Sequence, residues 1–395
     1  MIAAQLPVLQ VVIPLIAAPL CVIAWRGWIA WTITLVASWA ALAIAAMLFA
    51  RVVAEGPFSY LLGGWLPPWG IEYRIDYLSA FVLLIVTGIA AVVVPYMAKS
   101  VRAQFNANRQ NLFYTAFLLA LTGLLGIVIT GDAFNLYVFL EISSLASYVL
   151  IAQYHERRGL VAAYQYLVLG TIGATLILIG IGLLYMMTGT LNMADLSQRI
   201  PELADRRPIH VAFAFLTVGI SLKLALFPLH LWLPNAYAFA PSAVSAFLAA
   251  TATKVGAYVL LRFVFTVFGV EFAFEVMPLG EILMPLALIA VFAGSLVAIY
   301  QTNVKRLLAY SSVAQIGYIA LGISFASTTG LTGSVVHLLN HALMKGGLFL
   351  AVGCVAYRMG GVELSDWHGL GRRMPFTMAA VVLGGLSLVG VPLTV

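Results

Sequence analysis

Glu141, Lys223, Lys254 and Lys345 each lie inside a long apolar stretch, and His337 and His341 share the last of these stretches with Lys345. A charged group at membrane depth costs at least roughly 2.5 to 3.5 kcal/mol, so such groups are rare and usually line an ion path. A buried ammonium whose carboxylate partner comes and goes can release and regain a proton near neutral pH. Imidazole titrates in that range already. Linked by water, groups of these types can take up protons and hand them on.

The local sequences say how each group is presented. Glu141 falls about two turns into a stretch that begins Gly131-Asp132-Ala133-Phe134-Asn135, and Ser143, Ser144 and Ser147 follow it. Small hydroxyls suit a carboxylate that exchanges protons, and they equally suit a protonated acid hydrogen-bonded in a helix interface. Lys223 precedes Phe227-Pro228-Leu229-His230 and Pro234, with Pro241 further on. Pro228 has no N–H to donate and its ring clashes with the carbonyl four residues back, so the helix should open just after Lys223. Freed carbonyls at membrane depth persist only where protein or water satisfies them. That makes a hydrated break beside a lysine, although a packing kink with a static salt bridge also fits. His230 reads either as a further station on the path or as a satisfied core histidine.

Lys254 follows Thr251 and Thr253 about fourteen residues into its segment, too deep for its ammonium to reach either surface easily. His337, His341 and Lys345 are spaced by four and four, which places them on one helix stripe with a rise of roughly 6 Å per step. That stripe is a ladder of titratable groups. Two histidines at this spacing could also bind zinc, but no third ligand or metalloprotease glutamate accompanies them. A pair of neutral, packed histidines is the other reading.

The elements that must position these groups are set by composition. The chain has 395 residues, 63% hydrophobic and 9% charged, which excludes an ordinary soluble domain. Apolar runs near the 20 residues needed to span a bilayer recur at 7–25, 28–50, 76–97, 111–130, 133–153, 161–187, 209–233, 241–268, 279–301, 306–325, 331–356 and 375–395. The fold expected is an all-α polytopic membrane protein with about twelve transmembrane helices and no strands. The longest link, about 51–75, is rich in Pro, Gly and Trp and too short for a separate domain. No basic residue precedes Arg26, so a cleavable signal peptide is not expected and the first segment should be retained. Cys21 and Cys354 are too few for an iron–sulfur cluster or a cysteine-based zinc site, and no cofactor or metal is expected in this chain.

Loop charges give an orientation. Links after odd-numbered segments hold eleven basic and three acidic residues, and those after even-numbered segments hold six basic and ten acidic. The excess of Lys and Arg puts the odd links in the cytoplasm and the N-terminus outside. The net charge of +6 thus mostly reflects the links on one side of the membrane and does not imply a nucleic-acid partner.

Across nearly the whole chain these features resemble the antiporter-type membrane subunits shared by Mrp cation/proton antiporters, respiratory complex I and membrane-bound hydrogenases. The residues that carry the resemblance are Gly131 to Tyr148 with Glu141 at the centre, Lys223 to Pro241, the Lys254 segment, and His337 to Lys345. Within the group the likeness is strongest to D subunits of Mrp antiporters, notably over Ala163–Gly170 and Phe227–Ala240. The resemblance implies fourteen or so helices. Residues 1–110 would form three N-terminal helices, 111–268 a first five-helix repeat, and 279–395 an incomplete second repeat in inverted orientation. Paired Gly/Pro breaks mark inverted-repeat transporters, and Pro228 and Gly390-Val391-Pro392 stand five segments apart. By the same resemblance Glu141 and Lys223 form the ion pair of the first half-channel, and Lys254 joins that half to the histidine ladder. The family carries a further lysine or glutamate just beyond the second break. This chain ends at Val395 before reaching it, so a fragment is expected.

The implied function is a proton-conducting subunit of a multisubunit Na+/H+ antiporter in a bacterial inner membrane, partnered by other membrane subunits and the lipid bilayer. The alternative is the pumping subunit of an NADH:quinone oxidoreductase or a membrane-bound hydrogenase. In neither case is a catalytic centre expected within this chain. A sodium site built from this chain alone is not expected either, because Glu141 is its one intramembrane carboxylate.

Overall fold

Backbone amides in hydrocarbon must pair within the protein, and consecutive apolar residues therefore solve the problem as helices. The computed structural model of the chain describes residues 2–153 and 157–391. Among them, eleven helices are long and apolar enough to cross a membrane. In order they are α1 (Leu6–Ile23), α2 (Gly27–Glu55), α3 (Tyr77–Gln104), α4 (Ala107–Ile129), α5 (Ala133–Ala152), α6 (Arg157–Thr188), α8 (Arg207–Leu224), α10 (Ser242–Leu261, continued as π-helix to Val267), α11 (Leu279–Ile299), α12 (Val304–Ser324) and α13 (Thr328–Met359). Shorter helices are α7 (Met193–Arg199), α9 (Trp232–Phe239), α14 (Leu370–Arg373) and the apolar α15 (Pro375–Val389). The first eleven apolar segments each overlap one of the eleven crossing helices, the seventh ending after α8 in the link and the start of α9, and the twelfth begins with the shorter α15. Pro392, expected to mark the second break, lies outside the described residues. The helix before it ends at Val389, and Gly390 adopts φ +82°, a left-handed conformation that suits glycine.

The expectation of no strands is corrected by a short hairpin. Phe58–Leu61 (β1) pairs antiparallel with Glu72–Ile75 (β2). The Pro- and Gly-rich link folds back on itself there, and Glu72, Tyr73 and Ile75 are buried while Arg74 is exposed. Backbone bonds then stitch this hairpin to the start of α5 and to the residues before α7: the Gly131 amide donates to Glu72 and the Met193 amide to Gly131. The side-chain amide of Asn192 donates to the buried Glu72 carboxylate at 2.8 Å. One end of the bundle is thereby capped.

α10 occupies the interior. Of its apolar window 89% is buried, against 33% for α11 and 39% for α6, so α10 meets protein on nearly every side while α6 and α11 present broad apolar faces outward. It packs on α3, α4, α8 and α13. Close helix approach comes from small residues, as is usual where lipid rather than water surrounds the bundle. A Cβ placed on Gly219 of α8 would stand 2.6 Å from the Gly173 carbonyl of α6, and one on Gly123 of α4 would stand 2.5 Å from the Ser143 amide of α5. These two contacts fix the helices that carry Lys223 and Glu141.

Candidate functional site

Glu141 and Lys223 meet across the interface of α5 and α8. The Lys223 ammonium donates to the Ser144 hydroxyl at 2.9 Å and to a Glu141 carboxylate oxygen at 3.4 Å. The lysine side chain is 7% exposed and the glutamate 24%, so the carboxylate keeps an open side while the ammonium does not. A distance of 3.4 Å is a loose charge-assisted bond beside one of ordinary length to a neutral hydroxyl. Ser144 thus gives the ammonium its shorter hydrogen bond and Glu141 its longer one.

Immediately after Lys223 the helix stops. Ala225 takes φ +59°, its amide bonds back to Leu222 at 3.2 Å, and the Leu226 amide bonds back to Ser221 at 3.0 Å. These are the two reversed bonds of a Schellman ending, here with alanine instead of the usual glycine in the left-handed position. The Leu222 carbonyl gains a second donor from α9. The indole of Trp232 donates to the Leu222 carbonyl at 2.9 Å while its ring stacks on Tyr166 of α6 at 3.9 Å. The expected opening after Lys223 is therefore present, and a buried tryptophan satisfies one of its carbonyls. His230 lies in the link between α8 and α9, half-buried, stacked on Phe227 at 5.3 Å and facing Tyr310 of α12 at 6.5 Å.

Between the ion pair and α10 lies a cavity of about 40 Å³, lined by Ser143, Ser144, Ser147, Lys223, Ala252 and Gly256 among others. It exceeds the roughly 10–15 Å³ that one water requires, and its hydroxyls supply partners. Ala252 and Gly256 stand two residues before and after Lys254 on α10 and so face away from its side chain, which is not among the residues lining the cavity. Lys254 itself is 1% exposed and donates to its own helix, to the Ala249 carbonyl at 2.5 Å and the Thr253 hydroxyl at 3.4 Å. Gly256 lets α10 reach the end of α8, since a Cβ there would stand 3.1 Å from the Leu224 Cα.

On α13 the predicted ladder is formed. The His337 and His341 rings lie 6.0 Å apart and nearly parallel. His341 is fully buried, and neither of its ring nitrogens meets a hydrogen-bonding protein group among the described residues. Lys345 is fully buried and donates to the Leu308 carbonyl of α12 at 3.0 Å and to the Ser311 hydroxyl. His337 borders a cleft of about 640 Å³ shared with Gln315, Tyr318, Ser334 and the end of α15 at Gly390. The structure thus joins Glu141 to Lys223 directly and aligns the ladder. It places Lys254 between them on the interior helix without a direct hydrogen bond to either group.

Two features escaped sequence reasoning. Lys305 reads as one of the cytoplasmic loop charges because it stands beside Arg306 at a segment edge. Instead it is 6% exposed, in the first turn of α12, and donates to the Ala240 carbonyl at 3.0 Å. Arg262 likewise reads as a loop charge. Its guanidinium bonds the Asp76 carboxylate, which caps α3, and the Tyr258 hydroxyl at 2.8 Å, while that hydroxyl donates to the Val128 carbonyl at 2.7 Å. Burial by itself would raise the Asp76 carboxyl, but the hydrogen bond and charge of Arg262, with Ser79, outweigh it and hold Asp76 below the usual carboxylate range. The spacing Lys254, Tyr258, Arg262 was the available signal, a polar stripe continuing along α10 from the buried lysine.

Comparison with known proteins follows the same residues. The family described as NADH:quinone oxidoreductase/Mrp antiporter, TM matches residues 130–395, from the start of α5 onward. The chain belongs to this family. It is 45% identical to NADH-quinone oxidoreductase subunit N of Desulforudis audaxviator over 99% of this chain and 78% of that protein. It is 31% identical to the D subunit of the Na(+)/H(+) antiporter of Bacillus subtilis over 98% of this chain and 77% of that protein. Among solved structures, a chain of the membrane-bound sulfane sulfur reductase, an archaeal respiratory membrane complex, is similar at a TM-score of 0.91 and 33% identity, covering 98% of this chain and 79% of that one. A chain of the Mrp complex from Dietzia sp. is similar at 0.88 and 27%, covering 99% and 72%. The protein is an integral membrane protein, and its relatives are subunits of larger membrane assemblies.

Proposed function

We propose that this chain is the proton-translocating membrane subunit of a multisubunit Na+/H+ antiporter in a bacterial inner membrane, with its N-terminus outside. Protons pass from Glu141 and Lys223 to Lys254, and from there to Lys345, His341 and His337. The observation that carries the reading is the Glu141–Lys223 pair at a broken helix, bordered by a small polar cavity that reaches the helix of Lys254. When Glu141 leaves, the Lys223 ammonium loses its counter-charge and its proton becomes easier to release into that cavity. When Glu141 returns, the lysine is recharged. His230 has a secondary place, at the break and facing α12.

In this reading residues 111–268 form one five-helix repeat and 279–395 part of a second, with 1–110 packed beside them. Sodium crosses with help from partner subunits, because the described span of the path contributes a single carboxylate. A second reading is supported by the 45% identity to a subunit N: the same path would then serve a redox-driven pump. Purification of the native complex decides between them. An antiporter is expected to copurify with further hydrophobic subunits and no flavin or iron–sulfur protein, and stoichiometric redox subunits would overturn that assignment.

A further inference from the structure

Lys305 begins α12, and its ammonium reaches the carbonyl of Ala240, the residue that closes α9 just before Pro241. The Ser245 hydroxyl approaches the same oxygen at 3.3 Å. Carbonyls at a helix C-terminus carry partial negative charge, so an ammonium there is favourable. In the same turn of α12, the Arg306 guanidinium lies 5.9 Å from the ring of Tyr310 one turn further on, and Tyr310 faces His230 in the link before α9. The first two turns of α12 therefore grip both ends of the broken segment that follows Lys223.

The same two turns hold Lys345. Its partners, the Leu308 carbonyl and the Ser311 hydroxyl, stand three and six residues after Lys305. Residues 305 to 311 belong to one continuous, close-packed stretch of helix, so a displacement of the start of α12 shifts both sets of contacts together. We propose that Lys305 is a positioning residue that latches the α9–α10 junction to α12, so that movement of the broken segment beside Lys223 is passed to the hydrogen bonds of Lys345.

This inference rests on Lys345 being a proton station, and the test separates the two claims. Na+-dependent dissipation of a pH gradient is measured in everted vesicles containing the intact complex. The variants are Lys305→Met, Lys305→Arg, Ser311→Ala, the Lys305→Met/Ser311→Ala double variant and Lys345→Met, each checked for assembly by purification. Lys305→Met should lower the maximal rate roughly three- to tenfold at unchanged half-saturating Na+. Lys305→Arg, which keeps the charge and the donor, should recover most of it. The double variant should lose less than the product of its two single losses. Parental behaviour of Lys305→Met, failure of Lys305→Arg to recover, or losses that multiply would overturn the latch. A parental rate in Lys345→Met would instead overturn the station itself. If methionine at 305 prevents assembly, Lys305→Gln takes its place with the same outcomes.

Discussion

Lys223 has two partners of different kinds, a hydroxyl at 2.9 Å and a carboxylate at 3.4 Å, and the difference decides what each contributes. In the proposed path Ser144 holds the ammonium in place and Glu141 is the partner that exchanges with it. Glu141→Gln should therefore leave the complex assembled but slow proton transfer roughly a hundredfold, the scale on which a positioned proton donor or acceptor acts. Initial rates of cation-driven pH change in vesicles check this, and a variant within twofold of the parent would remove Glu141 from the path. At the start of α3, Asp76 offers a separate pH prediction. Its folded pKa lies below the ordinary carboxylate value, so its pairing with Arg262 stabilises the fold above that value and is lost as pH falls through the folded pKa. Asp76→Asn should cost roughly 1 to 3 kcal/mol at neutral pH and flatten the acid limb of a thermal-unfolding profile. An unchanged acid limb would contradict the role given to this pair.

The twelve apolar segments and the break after Lys223 were legible because hydrocarbon permits few backbone solutions and proline marks where helices fail. The ladder on α13 was legible because a spacing of four puts His337, His341 and Lys345 on one face. The hairpin at 58–75 was not, since its pairing depends on contacts with Gly131 and Asn192 far along the chain. Nor was the burial of Lys305, which follows from how the start of α12 tucks beneath Ala240. At this scale the glycine contacts govern alignment. Gly219→Val would drive a side chain into the Gly173 carbonyl, and overpacking of this kind costs roughly 1 to 3 kcal/mol. The variant should lower the melting temperature of the detergent-solubilised complex and the exchange rate together. Gly182 is the matched control, since a methyl group added there would meet no atom within 4 Å, and Gly182→Ala should be neutral in both.

For the molecule as a whole, sidedness and partnership follow from where charge and apolar surface remain. Trp69 and Asn106 are both exposed, and the proposed orientation puts the link carrying Trp69 outside and the link at Asn106 inside. In a background lacking Cys21 and Cys354, an impermeant maleimide should label Trp69→Cys in intact cells and Asn106→Cys only after lysis. The reverse pattern would invert the orientation. The central claim is that Lys223 carries protons and does more than brace a kink. It is tested most directly by adding NaCl to everted vesicles bearing a preformed pH gradient and comparing the parent complex with an equally assembled Lys223→Ala variant. Rapid dissipation in the parent and none above the vector control in the variant is the predicted result. Equal dissipation in both would contradict the account.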